Sequence, residues 1–152
     1  MKNSIVRHKA IIALLVLFVL RAALPQNASA QEKLAILNIF ETYQSEKGIT
    51  TLEASEAIMK EYGISHFKSI IFNDGRKALP AIRKAMEQDK KNALKIKEGF
   101  TDGSLSSGYY RLATPNQALN RYLIFKMGKE NKVTLLYIEG KLSPDELTEL
   151  LK

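Results

Sequence analysis

Between residues 32 and 46 the apolar positions Ile36, Ile39, Phe40 and Tyr43 recur at three- and four-residue spacing. That spacing puts them on one face of a helix, and Gly48 fits the position just past its end. The next segment, ITTLEASEAIMKEYG, supports two readings. Ile49 to Leu52 is rich in β-branched residues and suits a strand, whereas Thr50 and Glu53 have the spacing of a capping box. Ser55 offers a second start, so a helix is expected over 55–62, closed by Gly63. Residues 66–74, HFKSIIFND, form a short β-rich run that ends in Asn-Asp-Gly turn chemistry. Beyond it Leu79, Ile82, Met86 and Ala93 share a face and Pro80 suits a first turn, predicting a helix over 79–91.

From there the pattern changes to strands. ALKIKEG is short, FTDGSLSSG reads as a glycine-serine turn region, and GYYRLAT alternates. NRYLIFKMG, KENK and VTLLYIEG read together as a hairpin. No long helix connects these last strands, which makes them antiparallel. The expected fold class is α+β: a two-layer domain with a mostly antiparallel sheet of four to five strands and helices packed on one face. With no repeat or long linker in sight, residues 31–152 read as a single domain.

The chain closes on GKLSPDELTELLK, whose three acids, Asp145, Glu146 and Glu149, invite a functional reading. Ser143 fits an N-cap, Pro144 the first helical position and Glu146 the third, which together make a capping box. Leu142 and Leu147 are spaced as a hydrophobic staple. Asp145 and Glu146 also favour the positive end of the helix dipole. Glu149 faces out from the apolar stripe of Leu147, Leu150 and Leu151, so each acid has a structural reason to be there.

The first thirty residues read as a signal peptide. MKNSIVRHK is basic without an acid, AIIALLVLFVL is an eleven-residue apolar run, and Ala28-Ser29-Ala30 places cleavage before Gln31. The apolar run is too short to span a bilayer, which takes about 20 residues, and Arg21 ends it. The expectation is a periplasmic or secreted protein with no membrane span after cleavage. Removal of the leader takes four basic residues, so the formal net charge falls from +7 to +3. The high pI is then partly a property of the leader, and no nucleic-acid partner is expected. There is no Cys anywhere. That excludes disulfides, thiolate metal sites, a Cys nucleophile and a lipid-anchored Cys.

Searching the remaining chain for chemistry yields little. His66 is its one histidine, and its neighbour Ser65 carries no weight from adjacency, because triads assemble across space. One His without Cys does not make a metal site, and FTDGSLSSG offers Asp102 alone among carboxylates. Neither phosphate-binding glycine motif occurs, so no cofactor and no metal is expected. Residues 76–97 carry eight basic and two acidic side chains, and Arg83, Lys84, Lys90 and Lys91 fall away from the apolar stripe of their helix. They are candidates for contact with an anionic partner. Tyr109 and Arg111 share one face of a predicted strand, and these residue types are enriched at binding hot spots.

The order of the chain resembles a family of small exported bacterial proteins of unknown function, typical of Bacteroidetes envelopes. The matching stretches are FETYQSEKGITTLEASEAIMKEYG, the central strand-helix unit and VTLLYIEGKLSPDELTELL. Many members look lipid-anchored, and this chain, lacking Cys, departs from that form. The resemblance implies an envelope location and a non-catalytic role, and it carries over no catalytic residue. The leading expectation is a non-catalytic interaction module of the cell envelope, holding an unknown envelope protein or an anionic surface component. The alternatives are a small hydrolase-type enzyme using His66 with carboxylates, and a small-ligand binder.

Overall fold

The computed structural model describes residues 33–152, so the expected leader and its cleavage site before Gln31 lie outside the described residues. Helix α1 spans Ala35–Tyr43, β1 Ile49–Leu52, α2 Glu56–Glu61 and β2 Ile64–Phe72. Helix α3 spans Leu79–Asp89 and runs into a 3-10 turn over Lys90–Asn92. Strands β3 (Ala93–Thr101), β4 (Ser104–Leu112), β5 (Asn120–Met127) and β6 (Val133–Gly140) follow, and α4 covers Pro144–Leu150. The strands form one sheet in the order β1-β2-β6-β5-β4-β3, antiparallel throughout.

The sheet has six strands rather than the expected four to five. The ambiguous Ile49–Leu52 segment is the sixth, added to the edge of β2 with Ile49 opposite Phe72. The serine-rich stretch after Phe100 is also more extended than expected. Its turn is confined to Asp102 and Gly103, at φ 49° and 74°. Two successive positive φ values match the twist of the flanking strands, so Ser104 can enter β4 at once.

The helices do not sit on one face of the sheet, as expected, but on both. Helices α1 and α3 cover the first face, where Ile36, Phe40, Ile82 and Met86 pack with Ile70, Phe72, Leu112, Leu123, Phe125 and Leu135. On the second face Leu147 of α4 joins Ile64, Tyr122, Ile138 and Leu142, with Met59 and Tyr62 from α2 alongside. The reason lies in the central strands β5 and β6, which are apolar at both parities. Leu123 and Phe125 point one way while Tyr122 and Ile124 point the other, and Leu135 and Leu136 repeat this on β6. Strands with two apolar faces need two covers.

Helix α1 has no side-chain N-cap of its own, since Leu34 occupies that position. Asp89, at the end of α3, takes over. Its Oδ1 accepts the N–H of Ala35 at 2.8 Å and its Oδ2 that of Ile36 at 2.9 Å. The cap joins the two helices that cover the first face. At the other end of the chain, α4 begins with the expected capping box. The Glu146 side chain accepts from Ser143 N–H at 2.6 Å, and Ser143 Oγ accepts from Glu146 N–H at 3.3 Å.

Candidate functional site

The second sheet face is covered unevenly. Helices α2 and α4 sit over β2, β6 and the near part of β5. Beyond the end of α4, the parts of β3, β4 and β5 toward the sheet edge remain open. An open groove of about 420 Å³ lies there, with Lys97, Tyr109, Ile124, Lys126 and Leu151 among its walls. Register places these side chains together: Lys97 is opposite Tyr109, and Tyr109 is opposite Ile124. Lys95, opposite Arg111, extends the same row.

Tyr109 and Arg111 share this face, as the alternation of β4 requires. Tyr109 leans on Tyr122 with ring centroids 6.1 Å apart, and burial raises its hydroxyl pKa. The Tyr122 hydroxyl donates to the carbonyl of Leu142 at 3.0 Å; buried there, it has a pKa pushed up to about 12. Arg111 donates to Asn120 Oδ1 at 2.7 and 3.2 Å, and Asn120 in turn donates to the Leu142 carbonyl at 3.0 Å. The guanidinium is therefore held in place by the link between β5 and the segment leading into α4.

The groove is electropositive. Among the described residues, Glu98 is the one acid in its lining, and its carboxylate is directed to the other face. There it accepts the Tyr110 hydroxyl at 2.8 Å and sits 3.5 Å from Lys90 Nζ. Lys95, Lys97 and Lys126 are exposed and form no ion pair among the described residues. Lys95 and Lys97 belong to the basic segment 76–97, but Lys126 lies 29 residues beyond Lys97 and joins them only through strand pairing. Their alternation with apolar residues on β3 and β5 is the signal that could have found them.

The four basic residues of α3 and its exit do not gather into one patch. Lys84 and Lys91 are exposed. Lys90 is bridged to Glu87 at 2.5 Å and to Glu98 at 3.5 Å. Arg83 is half-buried beneath β4 and β5, with Nη2 3.5 Å from the Leu105 carbonyl and 3.8 Å from Met127 Sδ.

His66 lies on β2 directly opposite Glu139, just past a bulge in the pairing. Its Nδ1 is 3.6 Å from Glu139 Oε1, and its side chain is 65% exposed. Ser65 donates to the main-chain oxygen of Glu139 at 3.0 Å, so its hydroxyl is engaged by the β6 backbone rather than by the imidazole. Glu139 itself is occupied. Its Oε2 accepts from Arg121 Nε at 2.8 Å and from the Tyr137 hydroxyl at 2.7 Å. Burial pushes the Glu139 carboxyl up, but these two bonds and the Arg121 charge outweigh it and leave the pKa below its ordinary value. Burial and the bond to Glu139 raise the Tyr137 hydroxyl. Arg121, only 8% exposed, also acts electrostatically on Asp89. This cluster is not legible in the sequence, because Arg121 meets Glu139 only through the pairing of β5 with β6, and His66 only through that of β2 with β6.

A family model describing a family of unknown function, DUF6108, matches residues 23–151. The chain belongs to that family. No curated protein and no solved structure matches it. Within the DUF6108 chain, no helix among the described residues is long and apolar enough to cross a membrane. No group of three or more His, Asp or Glu side chains placed to hold a metal ion occurs among them either.

Proposed function

We propose that this DUF6108 protein is an exported, non-catalytic binding module of the cell envelope. Its open second sheet face receives an acidic, extended segment of a partner protein. The observation that carries the reading is the groove over β3, β4 and β5, where exposed Lys97 and Lys126 flank Tyr109, Ile124 and Leu151. Cations beside an aromatic and aliphatic floor complement a segment that alternates acidic and apolar side chains. Arg111, already oriented by Asn120, offers two-pronged recognition of a carboxylate at the margin of the groove. No nucleic-acid partner belongs to this reading, because successive stacking platforms along a basic track are missing from the groove.

The non-catalytic part of the proposal rests on Glu139. It is the carboxylate nearest His66, yet Arg121 and Tyr137 hold it and lower its proton affinity, which makes it a poor proton acceptor. The exported part rests on the basic, apolar and small-residue order of the first thirty residues. N-terminal sequencing of protein released from cells by osmotic shock should begin at Gln31. Recovery of an uncleaved chain from the cytoplasm would end that part of the proposal.

The binding test uses a fluorescent peptide alternating Glu and Leu. Anisotropy should rise with protein and fall with added salt. The double variant Lys97→Glu, Lys126→Glu should lose the response, whereas Lys84→Glu, Lys91→Glu should keep it. Binding that follows the α3 variants instead would move the site to that helix. Binding to vesicles rich in anionic lipid, without binding to the peptide, would replace the protein partner by a surface component.

A further inference from the structure

Arg83 is half-buried, and its Nε is the one buried side-chain polar atom among the described residues that lacks a hydrogen-bond partner. The rest of the guanidinium is poorly served. Nη2 reaches a carbonyl at 3.5 Å and a thioether sulfur at 3.8 Å, both beyond the range of a good hydrogen bond. No carboxylate among the described residues pairs with it. The obvious candidate, Glu87 one turn along the helix, is engaged by Lys90 at 2.5 Å. A guanidinium carries five N–H donors in a planar fork that matches a carboxylate, and leaving its buried Nε–H without an acceptor is costly.

The space beside it suits such an acceptor. A pocket of about 280 Å³ lies between α3 and the β3–β4 hairpin, lined by Arg83, Met86, Glu87, Gly103, Ser104 and Leu105. Ser104 contributes a hydroxyl, and the buried Met86 and half-buried Leu105 contribute apolar wall. The pocket is distinct from the groove on the second face, since Met86 and Leu105 belong to the core of the first.

We propose that this pocket is a second binding site, which takes a small carboxylate bearing a short apolar tail. The Arg83 fork receives the carboxylate, and Met86 and Leu105 take the tail. The carboxylate can belong to a free short-chain acid or to a peptide C-terminus, and the two are separable. The full chain is titrated with butyrate and followed by NMR through the Arg83 Nε–H signal and the amides of Gly103, Ser104 and Leu105. Saturable shifts are expected. They should weaken about tenfold or more in Arg83→Lys, which keeps the charge without the fork, and vanish in Arg83→Met, which keeps the stem. An acetylated dipeptide ending in Leu is compared with its amide. Shifts from the acid alone assign a peptide C-terminus, and shifts from butyrate but neither dipeptide assign a free acid. The site is overturned if butyrate gives no saturable shift. It is equally overturned if the shifts persist in Arg83→Met, or if inorganic phosphate reproduces them and an apolar tail adds nothing. Should the Met variant fail to fold, the Lys variant decides by the same readout.

Discussion

The Asp89 carboxylate accepts the backbone N–H of Ile36 at 2.9 Å across 53 residues of sequence, and so ends one helix while starting another. Only 6% of Asp89 is exposed. Burial raises its pKa above the ordinary value, against the two N–H bonds from Ile36 and Ala35 and the charge of Arg121. The native state therefore binds the proton more tightly than the unfolded chain does. Stability then falls as pH rises from the ordinary Asp value of about 3.9 through the raised native value. Asp89→Asn should abolish that slope. An amide offers one oxygen where the carboxylate offers two, so one N–H at the start of α1 loses its acceptor, at a cost of about 1–3 kcal/mol. Urea unfolding across pH, with hydrogen exchange on residues 35–39, tests both points. An unchanged slope would detach Asp89 from the pH dependence.

Glu139 works in the opposite sense. Its native pKa is lowered, so its contribution is present above the ordinary Glu value of about 4.3 and is lost as pH falls through the native value. Glu139→Gln should cost about 3–5 kcal/mol near neutral pH, because it leaves the Arg121 guanidinium buried without its carboxylate. Tyr137→Phe keeps that pair and should cost only about 1 kcal/mol. Equal losses from the two variants would mean that the ion pair contributes little.

Gly140 sits where α2 leads into β2. A Cβ at this position would come 2.5 Å from the Gly63 carbonyl oxygen and 2.7 Å from Ile64 Cα. Both atoms are backbone, held by pairing of Gly140 with Ile64 on one side and Asn120 on the other. Gly140→Ala should therefore destabilise by about 1–3 kcal/mol in chemical denaturation, despite adding one methyl group.

Ser143→Ala removes one half of the α4 capping box and should cost about 0.5–2 kcal/mol. The first amides to exchange faster should be those of Glu146 and its neighbours. Loss of peptide binding with stability unchanged would assign Ser143 a role beyond the cap.

How far sequence reaches in this chain follows the range of the interactions. The α4 box is legible because Ser143, Pro144 and Glu146 lie within one turn of one another. The expected helix over 79–91 is observed as α3 followed by a 3-10 turn to Asn92. Helix α2 also starts where its cap residue predicts, with Ser55 Oγ accepting from Ile58 N–H. The shared face of Tyr109 and Arg111 follows from strand alternation alone. The lysines of the groove do not, since Lys97 and Lys126 meet through the pairings of β4 with β3 and β5.

The amino-acid sequence by itself determined most helix positions, the antiparallel strand pattern and the capping of the last helix. Each depends on contacts within a few residues. Tertiary structure decided whether Ile49–Leu52 was strand or helix, because only an available edge on β2 could pair it. It also decided that both sheet faces carry helices, which buries the double-sided apolar pattern of β5 and β6. The replacement of a local cap on α1 by Asp89, the Arg121–Glu139 pair and the lack of an ion pair to Arg83 among the described residues belong to the same class. These arise from long-range register and packing, where a charge acquires its partner, or goes without one, only when distant segments meet.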